Sequence, residues 1–127
     1  MLPAYDPIQH IPPPIDLLPT LRLVYLGREY AGQYRAYLCS ALCERLQLRA
    51  YQPIDLVPPS GHSPYWHLDL RPEAKRRLAQ YADTRPRISS LKLPVGLVEP
   101  GSALVLQLVN QPAFPGFYPM LPHALAA

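Results

Sequence analysis

The sequence has little of what would assign it at once to a familiar class of protein. No apolar run approaches the ~20 residues of a membrane-spanning helix, and no Lys or Arg precedes Arg22, so we expect neither a membrane span nor a secretory signal with a basic start. Glycine is scarce, at 6 residues, and has no three-residue repeat, which excludes a collagen-like chain. Charged residues make up only 17% while hydrophobic ones reach 49%, so a globular core is expected rather than a disordered polymer.

Sequence motifs of catalysis are also missing. Neither GxGxxG nor GxxxxGK occurs, and no serine or cysteine lies in a Gly-x-Ser-x-Gly turn. His62, His67 and Asp69 are close in sequence, but zinc needs three or four ligands with supporting hydrogen bonds. We therefore predict that the chain is not an enzyme and has no metal site and no cofactor.

Cysteine is nearly absent, with Cys39 and Cys43 as the only two. Four residues apart on one face of a predicted helix, they cannot close a disulfide of good geometry. Both are expected to be small core residues in a reducing compartment. The expected location is therefore the cytoplasm, with a virion as the alternative.

Proline is the residue in excess, at 18 of 127. None occurs between Thr20 and Gln52, and because proline breaks helices the longest helix is expected in that window. A short apolar strand is predicted at 21–26, followed by a helix at about 28–48, where apolar residues recur at spacings of three and four. A second helix is predicted at 73–83, directly after Pro72.

Further strands complete the predicted fold. Their expected ranges are 49–57, 65–70, 88–93 and 103–109. The resulting βαββαβ order with one added C-terminal strand predicts an α+β domain at 21–110, in which two helices pack on a mainly antiparallel, ferredoxin-like sheet. A winged helix, with residues 61–70 as the wing, is the alternative.

Two proline-rich, apolar arms flank this domain in our interpretation, at residues 1–20 and 111–127. Residues 101–127 contain no Asp, Glu, Lys or Arg, whereas disordered tails are normally charged. The arms are therefore expected to lie against a surface, either of their own domain or of a neighbouring subunit. Four prolines in the C-terminal arm predict that it forms neither a helix nor a central strand. The residues predicted to bind a partner are Phe114, Phe117, Tyr118, Met120, Leu121, Ile8, Ile11 and Ile15.

Two functions are compatible with these features. The first is a non-enzymatic interaction or assembly subunit, such as one of a virus or mobile element, whose arms dock on a protein partner or in a homo-oligomer. The alternative is a small nucleic-acid-binding module that uses a cluster of basic residues, although the net charge of +3 and the pI of about 9.0 are mild for such a protein. Its predicted contacts are the basic residues Arg71, Lys75, Arg76, Arg77, Arg85 and Arg87.

Overall fold

The computed structural model describes residues 14–30, 32–49, 52–71, 87–109 and 115–123. These residues form a seven-stranded antiparallel sheet in the order β3-β4-β7-β6-β1-β2-β5, together with one short α-helix and two 3₁₀ turns, Ile15–Leu17 and Arg28–Tyr30. The strands are β1 Thr20–Tyr25, β2 Tyr34–Leu38, β3 Asp55–Val57, β4 Trp66–Asp69, β5 Arg87–Leu91, β6 Ala103–Leu108 and β7 Phe117–Pro122, and the helix is α1 Ser40–Arg45.

Strands β1 and β2 form an antiparallel hairpin within the sheet, where β1 also pairs with β6 and β2 with the edge strand β5. Leu21 and Leu23 are buried while Arg22 between them is exposed, as expected for alternating faces of a strand. The connection begins at Gly27, whose φ of +90° is a left-handed conformation that glycine adopts without a Cβ clash. Leu23 then pairs with Ala36, which is also buried, so both strands turn the same face to the core.

The long helix predicted at 28–48 is wrong. Tyr34, Ala36 and Leu38 are buried at a period of two in strand β2, and the α-helix is confined to the six residues of α1. The sequence pattern was ambiguous because a spacing of four residues is both about one helical turn and two strand repeats. Gly32, with φ +68°, separates the 3₁₀ turn from β2 and prevents a continuous helix.

The predicted fold class is therefore wrong as well. The sheet is antiparallel throughout, and the described residues contain one six-residue helix rather than two helices packed on a sheet. Neither the ferredoxin-like arrangement nor the winged helix is supported. The second predicted helix, at 73–83, lies outside the described residues. The strands predicted at 21–26, 65–70, 88–93 and 103–109 are confirmed to within about two residues, and of the described residues in the range 49–57 the last three form a strand.

The C-terminal segment contradicts the prediction that its prolines exclude a central strand. Strand β7 lies between β4 and β6. The Val109 N–H donates to the Pro119 carbonyl at 3.0 Å, so the backbone of Pro119 faces β6 one residue beyond the end of that strand. Successive residues of a strand direct their backbone groups to opposite sides, so the backbone nitrogen of Pro122 faces β4. It lies beyond Trp66 and Met120, the last pair between β4 and β7. Each proline thus lacks its N–H only where the neighbouring strand has ended.

The hydrophobic core lies on one face of the sheet and is closed by α1 and the loops. Leu42 and Cys43 of α1, Leu48 and Ile54 after it, and Val98 of the β5–β6 loop are all buried. The Tyr34 hydroxyl, buried among them, donates to the Pro94 carbonyl at 2.9 Å, which satisfies its polar atom. The described residues include no helix that is long and apolar enough to cross a membrane.

Candidate functional site

The sheet face opposite the core, here called the outer face, carries an unusual set of side chains. In an antiparallel sheet with one solvated face, outward positions are normally polar. Here they include many apolar and aromatic residues that are partly exposed, and two groups of side chains stand out. The strand register places on this face Thr20, Arg22, Val24, Arg35, Tyr37, Asp55, Val57, His67, Asp69, Ile88, Ser90, Ala103, Val105, Gln107, Phe117, Pro119 and Leu121.

The first group, the neutral patch, lies on β4, β7 and the Val57 end of β3, and Asp55 at the other end of β3 lies on the same face directly opposite Asp69. Two of its side chains are well exposed, Tyr65 at 39% and Leu121 at 38%. The rest are half-buried, because neighbouring side chains on the pleated surface shield one another. The neutral patch consists of Val57, Tyr65, His67, Phe117, Pro119 and Leu121.

Stacked rings order the neutral patch. His67 and Phe117 are diagonal neighbours on β4 and β7, and their rings stack with centroids 4.3 Å apart and planes at 13°. Tyr65 meets the His67 ring edge-on at 6.5 Å, and the Arg71 guanidinium lies 4.7 Å from the Phe117 centroid. The four side chains therefore form one continuous row that is ordered by contacts within the chain.

An ion pair ends this row. The Arg71 Nε and Nη2 donate to the two carboxylate oxygens of Asp69 at 3.0 and 3.1 Å, and the Arg71 backbone N–H donates to Oδ1 at 3.0 Å. Burial alone would raise the pKa of Asp69, but the hydrogen bonds and charge of Arg71 outweigh it and leave that pKa below its ordinary value. The two charges thus neutralise each other at the edge of the patch.

His67 carries no charge at neutral pH. Burial lowers the pKa of its imidazole below 6.5, and a backbone hydrogen bond involving Tyr65 opposes this only in part. The other members of the patch are aromatic and aliphatic side chains, so the patch is uncharged when His67 is neutral. It can therefore lose water without stranding an unpaired charge.

The second group, the basic patch, consists of Arg22, Arg35 and Tyr37 on β1 and β2. Arg22 pairs directly with Tyr37, and its guanidinium lies 4.7 Å from the centroid of that ring. Arg35 lies two residues before Tyr37 and is therefore the diagonal neighbour of Arg22 on the same face. Among the described residues, no carboxylate forms an ion pair with either arginine of this patch.

The predicted partner-binding residues are dispersed by the fold. Phe117 and Leu121 lie in the neutral patch, whereas Met120 is fully buried in the core and Tyr118 packs against it. Ile15, in the first 3₁₀ turn, is 37% exposed. Ile8, Ile11 and Phe114 lie outside the described residues.

The predicted nucleic-acid cluster is only partly described. Arg71 is engaged by Asp69 and Phe117, and the backbone of Arg87 begins β5. Lys75, Arg76, Arg77 and Arg85 lie outside the described residues.

Neither cysteine is joined to another. Cys39 and Cys43 are free thiols, and the half-buried Cys39 thiol donates to the Leu18 carbonyl at 3.0 Å. Within the described ranges no group of three or more His, Cys, Asp or Glu side chains could hold a metal ion.

Comparison with known proteins gives no relative. No family model, no curated protein and no solved structure matches this chain. The function therefore has to be inferred from the two patches.

The basic patch was missed at the level of sequence, although a signal for it exists. Arg22 alternates with Leu21 and Leu23, and Arg35 and Tyr37 alternate with Ala36 in the same way. Reading 34–38 as a strand would have placed all three on one outward face. The helical interpretation of that segment instead placed Arg35 and Tyr37 on different faces of a helix.

Proposed function

We propose that this protein is a non-enzymatic assembly subunit that pairs with a second copy of itself through the neutral patch. The observation that carries the proposal is the uncharged aromatic and aliphatic surface on the outer face, with Tyr65 and Leu121 its most exposed members. Contiguous exposed apolar surface of this kind is typical of binding sites rather than of a solvated sheet.

The charge distribution favours a second copy as the partner. An uncharged surface is electrostatically compatible with itself, and in a two-fold interface the same patch meets its own copy. The basic patch could not pair in this way, because the guanidinium groups of Arg22 and Arg35 would then meet their own counterparts and repel them.

The order within the neutral patch reduces the cost of association. Immobilising a free side chain at an interface costs about 0.5–1.5 kcal/mol, but the rings of His67 and Phe117 are already stacked. Tyr65 is in edge contact with that stack, and tyrosine is among the residues most often found to dominate binding energy. The patch is therefore preorganised for docking.

A mass measurement in solution tests the proposal. By light scattering after size-exclusion chromatography, the chain is expected to have twice its 14.3 kDa mass. Leu121→Arg places an unpaired charge in the patch and is expected to yield the monomer mass. Val95→Arg is the matched control, because Val95 is an apolar residue with 81% exposure in the β5–β6 loop, and this variant should keep the dimer mass.

Two results would contradict this function. A wild-type chain that stays monomeric at concentrations well above the micromolar range would remove the second copy as partner. A dimer that survives Leu121→Arg with unchanged affinity would place the interface elsewhere on the molecule.

A further inference from the structure

We infer that the basic patch binds single-stranded nucleic acid, with phosphates on Arg22 and Arg35 and a base stacked at Arg22 and Tyr37. This site is separate from the neutral patch and uses different strands of the outer face. It also differs from the 71–87 cluster that sequence composition suggested.

The first argument is the uncompensated charge. Arg22 and Arg35 project from the same face of adjacent strands as diagonal neighbours, a separation of about 7–8 Å. Like charges at this separation repel each other. No carboxylate of the described residues forms an ion pair with either arginine, so an anionic ligand bound here would relieve this repulsion.

The second argument is the chemistry of the guanidinium group. Its planar array of donors matches the oxygens of phosphate, which it binds through two parallel hydrogen bonds. Two such groups on neighbouring strands can engage successive phosphates of one flexible strand. The ligand predicted by charge alone is therefore a chain of phosphates.

The third argument is the stacking surface formed by the Arg22 guanidinium and the Tyr37 ring. The Arg22 guanidinium lies over the Tyr37 ring at 4.7 Å from its centroid, and both groups stack with nucleobases in single-stranded complexes. Val105, paired with Arg22 on β6, and Ile88, paired with Tyr37 on β5, supply half-buried apolar surface alongside. An acidic polypeptide would use the charges but not the stacking surface.

The shape of the site favours a single strand over a duplex. Reading a duplex in its major groove requires a protruding helix or ribbon. The described part of the chain has one six-residue helix, whose Leu42 and Cys43 are buried in the core, and the basic patch lies on the outer face of the adjacent interior strands β1 and β2. Exposed bases of a single strand can lie across such a surface.

Fluorescence anisotropy with the full-length protein and a labelled mixed-sequence oligonucleotide, as DNA and as RNA, tests this inference. The wild type is expected to bind, and Arg22→Gln with Arg35→Gln is expected to weaken binding at least tenfold. The slope of log affinity against log salt should fall by about 1.4, since each phosphate contact on a single strand contributes about 0.7. Tyr37→Leu should weaken binding about fivefold or more through lost stacking.

The control is Arg45→Gln, which removes one positive charge from the exposed side of α1, half of what the double variant removes, and should change affinity less than twofold. Light scattering on every variant shows whether the mass is unchanged, which separates this site from the neutral patch. The inference is overturned if the wild type does not bind, if Arg45→Gln weakens binding as much as the patch variants, or if a duplex binds as tightly. Competition by polyglutamate as effective as by unlabelled oligonucleotide would overturn it too, by indicating an acidic protein partner.

Discussion

The substitution Met120→Ala distinguishes between two roles of the C-terminal segment: a structural strand of the sheet, or an arm that rests on a finished domain. Met120 is fully buried in β7, where it pairs with Trp66 on one side and Leu108 on the other. If the C-terminal segment were an arm resting on a finished domain, its truncation would leave the fold intact. Because β7 is instead an interior strand, Met120→Ala is expected to destabilise the whole domain.

The expected magnitude follows from the lost methylenes and the cavity that remains. Met→Ala in a core costs about 2–5 kcal/mol, against a total stability of about 5–15 kcal/mol for a single domain. For a chain of this length, a loss of about 3 kcal/mol lowers Tm by about 10 °C. Leu121→Ala, one residue further along the strand and on the outer face, should cost less than about 1 kcal/mol because this side chain is 38% exposed.

Urea denaturation followed by circular dichroism measures both variants. The measurements belong at protein concentrations low enough to keep the chain monomeric, so that loss of the outer-face interface does not contribute to the Leu121→Ala value. Equal effects of the two substitutions, or a change below about 0.5 kcal/mol for Met120→Ala, would refute the placement of β7 inside the sheet.

The remaining predictions concern pH and backbone conformation. Since Arg71 holds the pKa of Asp69 below 3.8 in the folded state, ionised Asp69 stabilises the fold above that pH, and this contribution is lost as the pH falls through the folded value. Asp69→Asn should therefore flatten the acid limb of the unfolding free energy measured by urea titration at a series of pH values. The pKa of His67 is also lowered, so the unfolded chain takes up a proton more readily, and stability should fall as the pH drops below 6.5; His67→Gln should remove this loss in the same titration. Gly27→Ala should lower stability by about 1 kcal/mol in thermal melts through its positive φ alone, because no atom lies within 4 Å of the added Cβ.

The sequence predicted strands well where alternation or turn residues were unambiguous. Trp66 and Leu68 are buried and His67 between them is not, as the alternation in that segment indicated. The Glu99-Pro100-Gly101-Ser102 turn precedes β6 as expected, with Gly101 at φ +81°. Short-range chemistry was sufficient at these positions.

The helix–strand choice at 34–38 was not decidable from local pattern. Tyr34 and Leu38 satisfy both periods, and tertiary pairing of β2 with β1 and β5 on its two sides determined the outcome. The location of β7 depended on contacts still further apart in sequence, since its partners are β4 and β6. The proline rule failed there because it requires knowledge of where the neighbouring strands end.

The candidate site was predictable only in fragments. Phe117 and Leu121 were singled out for their apolar character, but the same reasoning selected Met120, which faces the core. The stack of His67 on Phe117 joins residues fifty positions apart, and no sequence spacing indicates it. The basic patch became visible only once β1 and β2 were paired.

The insertion of β7 between β4 and β6 also bears on how the chain folds as it leaves the ribosome. Every other strand of the described sheet is synthesised first, yet β4 then has only the three-residue β3 beside it, and β6 is paired on one side alone. Both strands keep an open edge until Phe117–Pro122 emerges, and open edges invite pairing with other nascent chains. Completion of this sheet consequently waits for its last strand, and slow translation of the codons for Phe117–Pro122 would prolong the aggregation-prone interval.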